Sequence, residues 1–232
     1  MKRASLAVVF TAIWAAAAVP AHADVETGWQ AYLRGDIQSA LSEIRPAAEA
    51  GDAQAQFYMG TLYEAGAGVP RDQAAAATWY ARAAEQGNAG AQFALGLLYH
   101  GGAADGSVPP DDEKAARWLL AAAEQNIPMA EYLVGQMYRQ GRGLPQDRDK
   151  ALDWSLKAAR HGVAGGQYEV ALLLAETPTT REHLIYAYSW FLLAARQAHP
   201  GAAENLQELA KVMSEEDIAR ARASADKFRP QE

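Results

Sequence analysis

The chain repeats a short motif at a nearly constant interval. Successive copies lie 36, 39 and 36 residues apart. The copies are Ala55-Gln56-Phe57, Ala91-Gln92-Phe93, Ala130-Glu131-Tyr132 and Gly166-Gln167-Tyr168. A period of this length is typical of stacked repeat proteins, in which each unit buries an apolar face against its neighbour. The sequence therefore predicts an array of similar units.

The apolar residues within a unit recur at helical spacing. In the first complete unit, Ala55, Met59 and Leu62 stand at i, i+4 and i+7, which places them on one helical face. A Gly-x-Gly-Val-Pro turn follows at 66–70, where glycine can take a positive φ and proline cannot extend the helix. A second helical stretch comes next. Each unit is thus predicted to be a pair of antiparallel helices, and the fold to be all-α.

Three series of recurring residues have predicted structural roles. An aspartate at the start of each second helix can accept hydrogen bonds from the free backbone N–H groups. A glycine inside a helix costs about 1 kcal/mol relative to alanine, so its recurrence indicates that another helix packs closely there. A recurring tryptophan is expected to fill the core between units. These residues are Asp72, Asp111 and Asp147; Gly60, Gly96 and Gly135; and Trp79, Trp118, Trp154 and Trp190.

The spacing of these series divides the chain into predicted segments. Three well-matched units are followed by a divergent one, and an atypical helical repeat and a pair of capping helices flank them. A loop insertion at 101–109 accounts for the longer step of the second unit, and His199 breaks the series Gly87, Asn126 and Gly162 that ends the second helices. The segments are 1–23 (signal peptide), 24–52 (N-terminal repeat), 53–88, 89–127, 128–163, 164–200 (divergent repeat) and 201–232 (capping helices).

The first residues have the pattern of a secretory signal peptide. Lys2 and Arg3 precede an apolar run at 6–19, and Ala21-His22-Ala23 forms an A-x-A cleavage signal. The apolar run is shorter than the roughly 20 residues that span a bilayer. We therefore expect cleavage between Ala23 and Asp24, a periplasmic or secreted protein, and no membrane insertion after cleavage.

Composition and motif searches exclude several classes of function. The net charge is −7, whereas nucleic-acid binding depends on lysine and arginine that neutralise phosphates. The chain has 0 cysteines, which excludes disulfides and thiolate metal sites. His100, His161, His183 and His199 are not set at metal-ligand spacing, and no phosphate-binding glycine motif is present. We predict no cofactor, no metal and no nucleic-acid partner.

The unit at 53–88 closely resembles a Sel-one-like repeat (SLR). The resemblance rests on the run from Ala55 through the Gly66–Pro70 turn to Asp72, followed by Ala76, Trp79-Tyr80, Ala83-Ala84-Glu85 and Gly87. It implies a tetratricopeptide-like fold, a right-handed α/α solenoid (superhelix) of stacked antiparallel helix pairs with a C-terminal capping helix pair. It also implies an adaptor that binds another protein, whose identity the sequence does not give.

Positions that differ between units are the candidates for partner contact, because repeat proteins bind partners through variable positions on a concave surface. In each first helix, two positions that lie beside the packing face vary in this way between units. Leu97, Leu133 and Leu172 could alternatively extend the core, whereas Tyr58 and Gln136 are the stronger candidates. The eight residues are Tyr58, Ala94, Leu133 and Glu169, and Thr61, Leu97, Gln136 and Leu172.

Two alternative functions are also compatible with the sequence. The protein could regulate a membrane sensor or another envelope assembly from the periplasm, for which the sequence would look the same. It could also bind or hydrolyse β-lactams, as some exported relatives have been described to do. Ser224-Ala225-Asp226-Lys227 fits S-x-x-K, but the companion S-D-N and K-T-G motifs are missing. We therefore expect a non-catalytic protein.

Overall fold

The structure is a computed structural model that describes residues 24–177 and 180–231. The predicted signal peptide, including Ala23, lies outside the described residues. Within the described part, the chain forms twelve helices and no strand. The helices are α1 (Val25–Leu33), α2 (Ile37–Glu49), α3 (Ala53–Ala65), α4 (Gln73–Glu85), α5 (Ala89–Gly101), α6 (Asp112–Glu124), α7 (Pro128–Gln140), α8 (Arg148–Arg160), α9 (Ala164–Glu176), α10 (Arg181–Arg196), α11 (Ala202–Ala210) and α12 (Glu215–Lys227).

The helices pack in sequential pairs, as the repeat predicts. Helices α1 and α2, α3 and α4, α5 and α6, α7 and α8, and α9 and α10 form five hairpins, and each hairpin packs against the next. Helices α11 and α12 both pack on α10 and close the C-terminal end. The all-α repeat fold is therefore confirmed. None of the helices described here has the length and apolar character of a membrane span.

Side-chain caps define where most of the helices begin. The predicted aspartates at the start of α4, α6 and α8 each accept a hydrogen bond from the backbone N–H three residues further on, at 2.8, 3.0 and 3.0 Å. Asp52 and Asn88 cap α3 and α5 in the same way. In the C-terminal pair, the Ser214 hydroxyl accepts from the Asp217 N–H and donates to its carboxylate. Such caps contribute about 1 kcal/mol each.

The second helices end at residues with positive φ. Gly87, Asn126 and Gly162 have φ of 88°, 62° and 85°. In the fourth unit the equivalent residue is Ala198, with φ of 57°, and not His199. The predicted position of this end at His199 is therefore wrong, because the left-handed residue is an alanine, a type that rarely adopts this conformation.

The recurring glycines lie where the two helices of a unit cross. A Cβ added at Gly60, Gly96 or Gly135 would lie 2.5 to 2.7 Å from a side chain of the second helix in the same unit. These contacts are shorter than non-bonded atoms tolerate. The side chains that would be met are those of Tyr80, Leu119 and Ser155. The glycines thus set how closely the two helices approach.

The four tryptophans differ in burial. Trp118 is buried, whereas Trp79, Trp154 and Trp190 are half-buried at the edges of the core. A cation covers the ring of each of the first three, and the closest is the Lys157 ammonium, 3.8 Å from the centroid of Trp154. These three tryptophans therefore combine a packed face with a face covered by a charged side chain, whereas Trp190 packs edge-on against Phe228.

The close helix crossing can be tested with two glycines of α5. We expect Gly96→Ala to destabilise the protein by about 1–3 kcal/mol, since the new methyl group would lie 2.7 Å from Leu119 Cγ and 3.2 Å from its backbone nitrogen. Gly101 is the matched control, because a Cβ there meets nothing within 4 Å. Urea denaturation of both variants provides the measurement. Equal midpoints for Gly96→Ala and Gly101→Ala would show that the crossing does not require glycine.

Candidate partner-binding surface

The predicted partner-contact residues all lie on the first helices of the four units, α3, α5, α7 and α9. We refer to the surface that these helices share as the first-helix face. Neighbouring first helices contact each other directly at α7 and α9, and α1 contacts α3 in the same way. The structure places the eight predicted residues in three different environments on this face.

Tyr58 is part of the packing and not of an exposed surface. Its side chain is 7% exposed, and its ring stacks on Trp29 of the N-terminal hairpin with centroids 4.2 Å apart and an interplanar angle of 5°. Burial raises the pKa of the Tyr58 hydroxyl above its usual value. The prediction that Tyr58 contacts a partner is therefore corrected, because Tyr58 fills the junction between the N-terminal hairpin and the first unit.

An open groove lies between α3 and α5. Its volume is about 450 Å³. Phe57 and Phe93 form its aromatic walls, and Ala94 and Leu97, both predicted partner residues, also line it. Leu97 is 40% exposed and is one of the few large apolar side chains of the described residues that remain in contact with solvent. An apolar groove with an exposed leucine is a typical site for the side chains of a binding partner.

The groove exists because the residue at position 94 is small. The equivalent positions of the other units hold Tyr58, Leu133 and Glu169, and each of these larger side chains is buried or half-buried. Only a methyl group occupies the corresponding space at Ala94. Gly90 contributes as well, because the Phe57 ring packs over it and a Cβ there would lie 3.1 Å from the ring.

A carboxylate lies at the rim of this apolar groove. The Tyr80 hydroxyl donates a hydrogen bond of 2.6 Å to Glu64 Oε2 and lies 3.4 Å from the Thr61 hydroxyl. Burial, with the nearby carboxylate, raises the pKa of Tyr80 far above its usual value, so the phenol remains a donor. Tyr80 thereby fixes the orientation of Glu64, whose side chain remains exposed. Thr61, a predicted partner residue, lines the same wall.

The loop inserted in the second unit borders the groove. Gly102, at the start of the loop, is one of the lining residues. The Ala104 N–H donates to Gln73 Oε1 on the neighbouring unit at 2.9 Å, and Val108 is buried. The loop is therefore attached to α4 and forms a fixed border for the groove.

The space between α7 and α9 is filled by a polar cluster instead. Gln136 Nε2 donates to the Tyr132 hydroxyl at 2.8 Å and to Glu169 Oε1 at 3.2 Å. Arg139 Nε lies 2.8 Å from Glu169 Oε2. Glu169 is 3% exposed, so the prediction that it contacts a partner is corrected. Gln136 is half-buried and holds this cluster together, so its amide is already occupied by intramolecular hydrogen bonds.

The two remaining leucines extend the packing. Leu133 is half-buried and contacts the buried cluster formed by α6 and α7. Leu172 is also half-buried. Of the eight predicted residues, the structure thus brings Thr61, Ala94 and Leu97 together in one groove. Phe57, Phe93 and Glu64 also line the groove and were not among the predicted partner residues. The small residue at position 94 was the signal in the sequence that could have pointed to them.

The other candidate chemistries have little support in the geometry. In the described residues, no three His, Asp or Glu side chains cluster as metal ligands would. Ser224 lies in α12 at the edge of a small cavity of about 140 Å³, whose lining includes Trp190, Leu193 and Phe228. Lys227, the other residue of the S-x-x-K match, is exposed at the end of the helix. The cavity is mainly apolar, and its other polar lining residues are Tyr186 and Ser189.

The chain resembles known repeat proteins in sequence and in structure. A family model described as Sel1 repeat matches residues 53–88, 89–127, 128–163 and 181–199. No curated protein gives a match. Among solved structures, a Sel1 repeat protein from Oxalobacter formigenes is 27% identical with a TM-score of 0.72, over 88% of this chain and 82% of that one.

A second solved structure is a protective antigen of uropathogenic Escherichia coli strains that displays an SLR fold. It is 22% identical with a TM-score of 0.58, and the alignment covers 88% of this chain but 52% of that one. At this level of identity the likeness concerns the fold alone.

The polar cluster between α7 and α9 can be tested by removing its charges one at a time. We expect Arg139→Met to destabilise the protein by about 3 kcal/mol, because the Glu169 side chain, 4% exposed, would lose its counter-charge. The double variant Arg139→Met/Glu169→Leu should recover most of that loss. Urea denaturation at neutral pH gives both values. A double variant no more stable than the single one would contradict this role for the pair.

Proposed function

The chain belongs to the Sel1 repeat family, and from this premise we propose that it is a non-catalytic scaffold that binds a partner protein in the groove between α3 and α5. Sel1 repeat proteins are generally protein-interaction scaffolds and are typically non-catalytic. The groove is the observation that carries the proposal for this chain. It is an apolar opening on a face whose other equivalent positions are filled by large side chains.

The groove suits one apolar side chain of the partner. Phe57, Phe93 and Leu97 offer it apolar contacts, and full burial of a leucine-sized or phenylalanine-sized side chain contributes about 1.5–3 kcal/mol. The exposed carboxylate of Glu64 lies at the rim. We therefore propose a partner segment that carries an apolar side chain next to a lysine, an arginine or a free backbone N–H.

Export to the periplasm or beyond the cell is a separate part of the proposal. The A-x-A signal ends at Ala23, and Asp24 caps α1 by accepting from the Thr27 N–H at 3.2 Å and from its hydroxyl at 2.6 Å. The first helix thus begins immediately after the proposed cleavage site. An exported scaffold of this kind would bind an envelope protein, and a membrane sensor is one such partner.

Filling the groove tests the binding proposal. We expect Ala94→Tyr to lower partner affinity at least about tenfold, which corresponds to about 1.4 kcal/mol, because Tyr58 shows that this position accommodates a tyrosine in another unit. Ala94→Ser is the matched control and should bind normally.

Photo-crosslinking in living cells measures the binding. A photo-crosslinking amino acid at position 97 captures the partner, and one at Leu33, which is 60% exposed on α1, reports non-specific capture.

The two variants distinguish binding from folding. Ala94→Tyr must retain the helical signal and melting temperature of the original chain for its loss of capture to count. Undiminished capture of the same protein by a folded Ala94→Tyr variant would refute the groove as the binding site.

Cleavage of the leader has its own measurement. We expect mass spectrometry of protein recovered from the cell envelope to give Asp24 as the first residue, since signal peptidase cuts after an A-x-A sequence. Protein recovered there with an intact Met1 would contradict export by this route, without bearing on the groove.

A further inference from the structure

Paired glutamines join the two helices of three units to the end of the preceding hairpin. In each pair, the glutamine that follows the second helix donates to the side-chain oxygen of a glutamine on the first helix, at 2.8, 2.8 and 2.9 Å. It also donates to a backbone carbonyl at the end of the preceding hairpin, at 2.9 to 3.1 Å. The pairs are Gln56 with Gln86, Gln92 with Gln125, and Gln167 with Gln197.

The first-helix glutamine of each pair also reaches the preceding hairpin. Its own amide nitrogen donates to the carbonyl of the residue eight positions earlier, near the end of the preceding second helix. These carbonyls belong to Ala48, Ala84 and Ala159, at 3.2, 3.2 and 3.5 Å. The amide pair therefore satisfies polar groups at the junction between consecutive hairpins without any ionisable side chain.

The third unit replaces both glutamines of this pair. Glu131 stands at the first position and His161 at the second, in register with the pairs of the other units. Glu131 is 0% exposed. Its Oε2 lies 3.8 Å from His161 Nε2, and neither of its carboxylate oxygens accepts a hydrogen bond from a described residue. A buried carboxylate thus occupies the place where an amide nitrogen donates to a backbone carbonyl in the other three units.

We propose that Glu131 and His161 make the junction between α6 and the α7–α8 hairpin a pH-sensitive contact, tight in acid and weaker as the pH rises. When protonated, the Glu131 carboxyl can donate to the Ala123 carbonyl, as the glutamine amides do at the equivalent carbonyls. When ionised, it can only accept, and it needs a counter-charge from the nearby cationic groups, His161 and Lys157.

The charged groups around the pair are few. Lys157, one turn before His161 on α8, is the other cation that acts on Glu131. On α6 the nearest charged residue in sequence is Glu124, which is exposed, and on α9 Glu169 is paired with Arg139. The buried carboxylate therefore has two potential cationic partners, Lys157 on α8 and His161 directly after it.

The C-terminal tail contacts the same end of α8 through uncharged groups. The Gln231 N–H donates to the carbonyl of Arg160 at 2.8 Å, and Pro230 lies against Gly162. Arg229, the nearest cation of the tail, is exposed, and its guanidinium donates to the backbone carbonyls of Asp226 and Phe228. Arg160 itself is exposed to solvent. The tail therefore adds no counter-charge at hydrogen-bond distance from the pair.

The sign of the pH dependence follows from the burial of Glu131. Burial raises the pKa of this carboxyl, and His161 and Lys157 oppose that shift without cancelling it. A group whose pKa is higher in the folded than in the unfolded protein contributes stability that is fully present at low pH. For a glutamate, this means below the pKa of the unfolded chain, about 4.3. That contribution is lost as the pH rises through the folded pKa. The junction should therefore weaken as the pH rises from the acidic range through the raised pKa of Glu131.

Restoring the amide pair provides the test. We expect the double variant Glu131→Gln/His161→Gln to show a gain in folding equilibrium constant over the original chain that grows as the pH rises from 4 to 9. The growth should be about tenfold for each pH unit that separates the pKa of Glu131 in the unfolded chain from its higher pKa in the folded protein. Urea denaturation at several pH values measures it. All other titrating groups are common to both proteins and cancel in the comparison.

The reciprocal variant tests the same contact in a different unit. Gln92→Glu/Gln125→His should make the preceding junction lose stability with rising pH, with the same sign as the natural pair.

Hydrogen exchange in the original chain gives a local measurement that needs no variant. Protection factors over 123–131 should fall with pH relative to those over the equivalent segment, 84–92. Parallel pH profiles for the two segments, or for the original chain and the restored amide pair, would overturn the proposal.

Discussion

The structure depends on how closely the two helices of each unit approach each other. At Gly60, Gly96 and Gly135 no Cβ fits between the first helix and the second, so the hairpins of these units share one spacing. The ends of successive hairpins meet in the same register, and one set of glutamine contacts recurs along the array, including the fourth unit, where Ala171 replaces the glycine. The partner groove and the Glu131–His161 junction keep that register and differ from the other units only in the side chains at the equivalent positions.

The groove shows how a repeat protein gains a binding site without altering its fold. A single small residue, Ala94, leaves open a space that tyrosine, leucine or glutamate fills in the other units. The inserted loop then borders the space, where it is anchored by the hydrogen bond from Ala104 to Gln73. Tyr80 links scaffold and site, because its ring packs over Gly60 while its hydroxyl orients Glu64. A change that loosens the helix crossing would therefore also disturb the rim of the groove.

The sequence predicted the features that depend on local spacing and missed those that depend on contacts between units. Repeat length and helix pairs follow from residues close together in the chain, and the structure confirms them. The burial of Tyr58 depends on Trp29 in the preceding hairpin, and that of Glu169 on Arg139, 30 residues earlier. Those contacts cannot be inferred from the spacing of residues within one helix. Variation of a position between units was therefore a poor guide to its exposure, because a residue that varies can pack against a neighbouring residue that also varies.

The Glu131–His161 pair illustrates that kind of matching. The two residues belong to different helices and lie in one contact, and both differ from the glutamines of the other units. Changing the first glutamine alone would bury a carboxylate beside an amide that carries no charge, which is costly. Changing the second alone would replace its two amide contacts, to the first glutamine and to a backbone carbonyl, by the single N–H donor of a neutral imidazole. The joint replacement places an imidazole beside the carboxylate, in addition to Lys157, so the two substitutions act as one unit. Such a pair introduces an ionisable contact at one junction and leaves the spacing of the remaining hairpins unchanged.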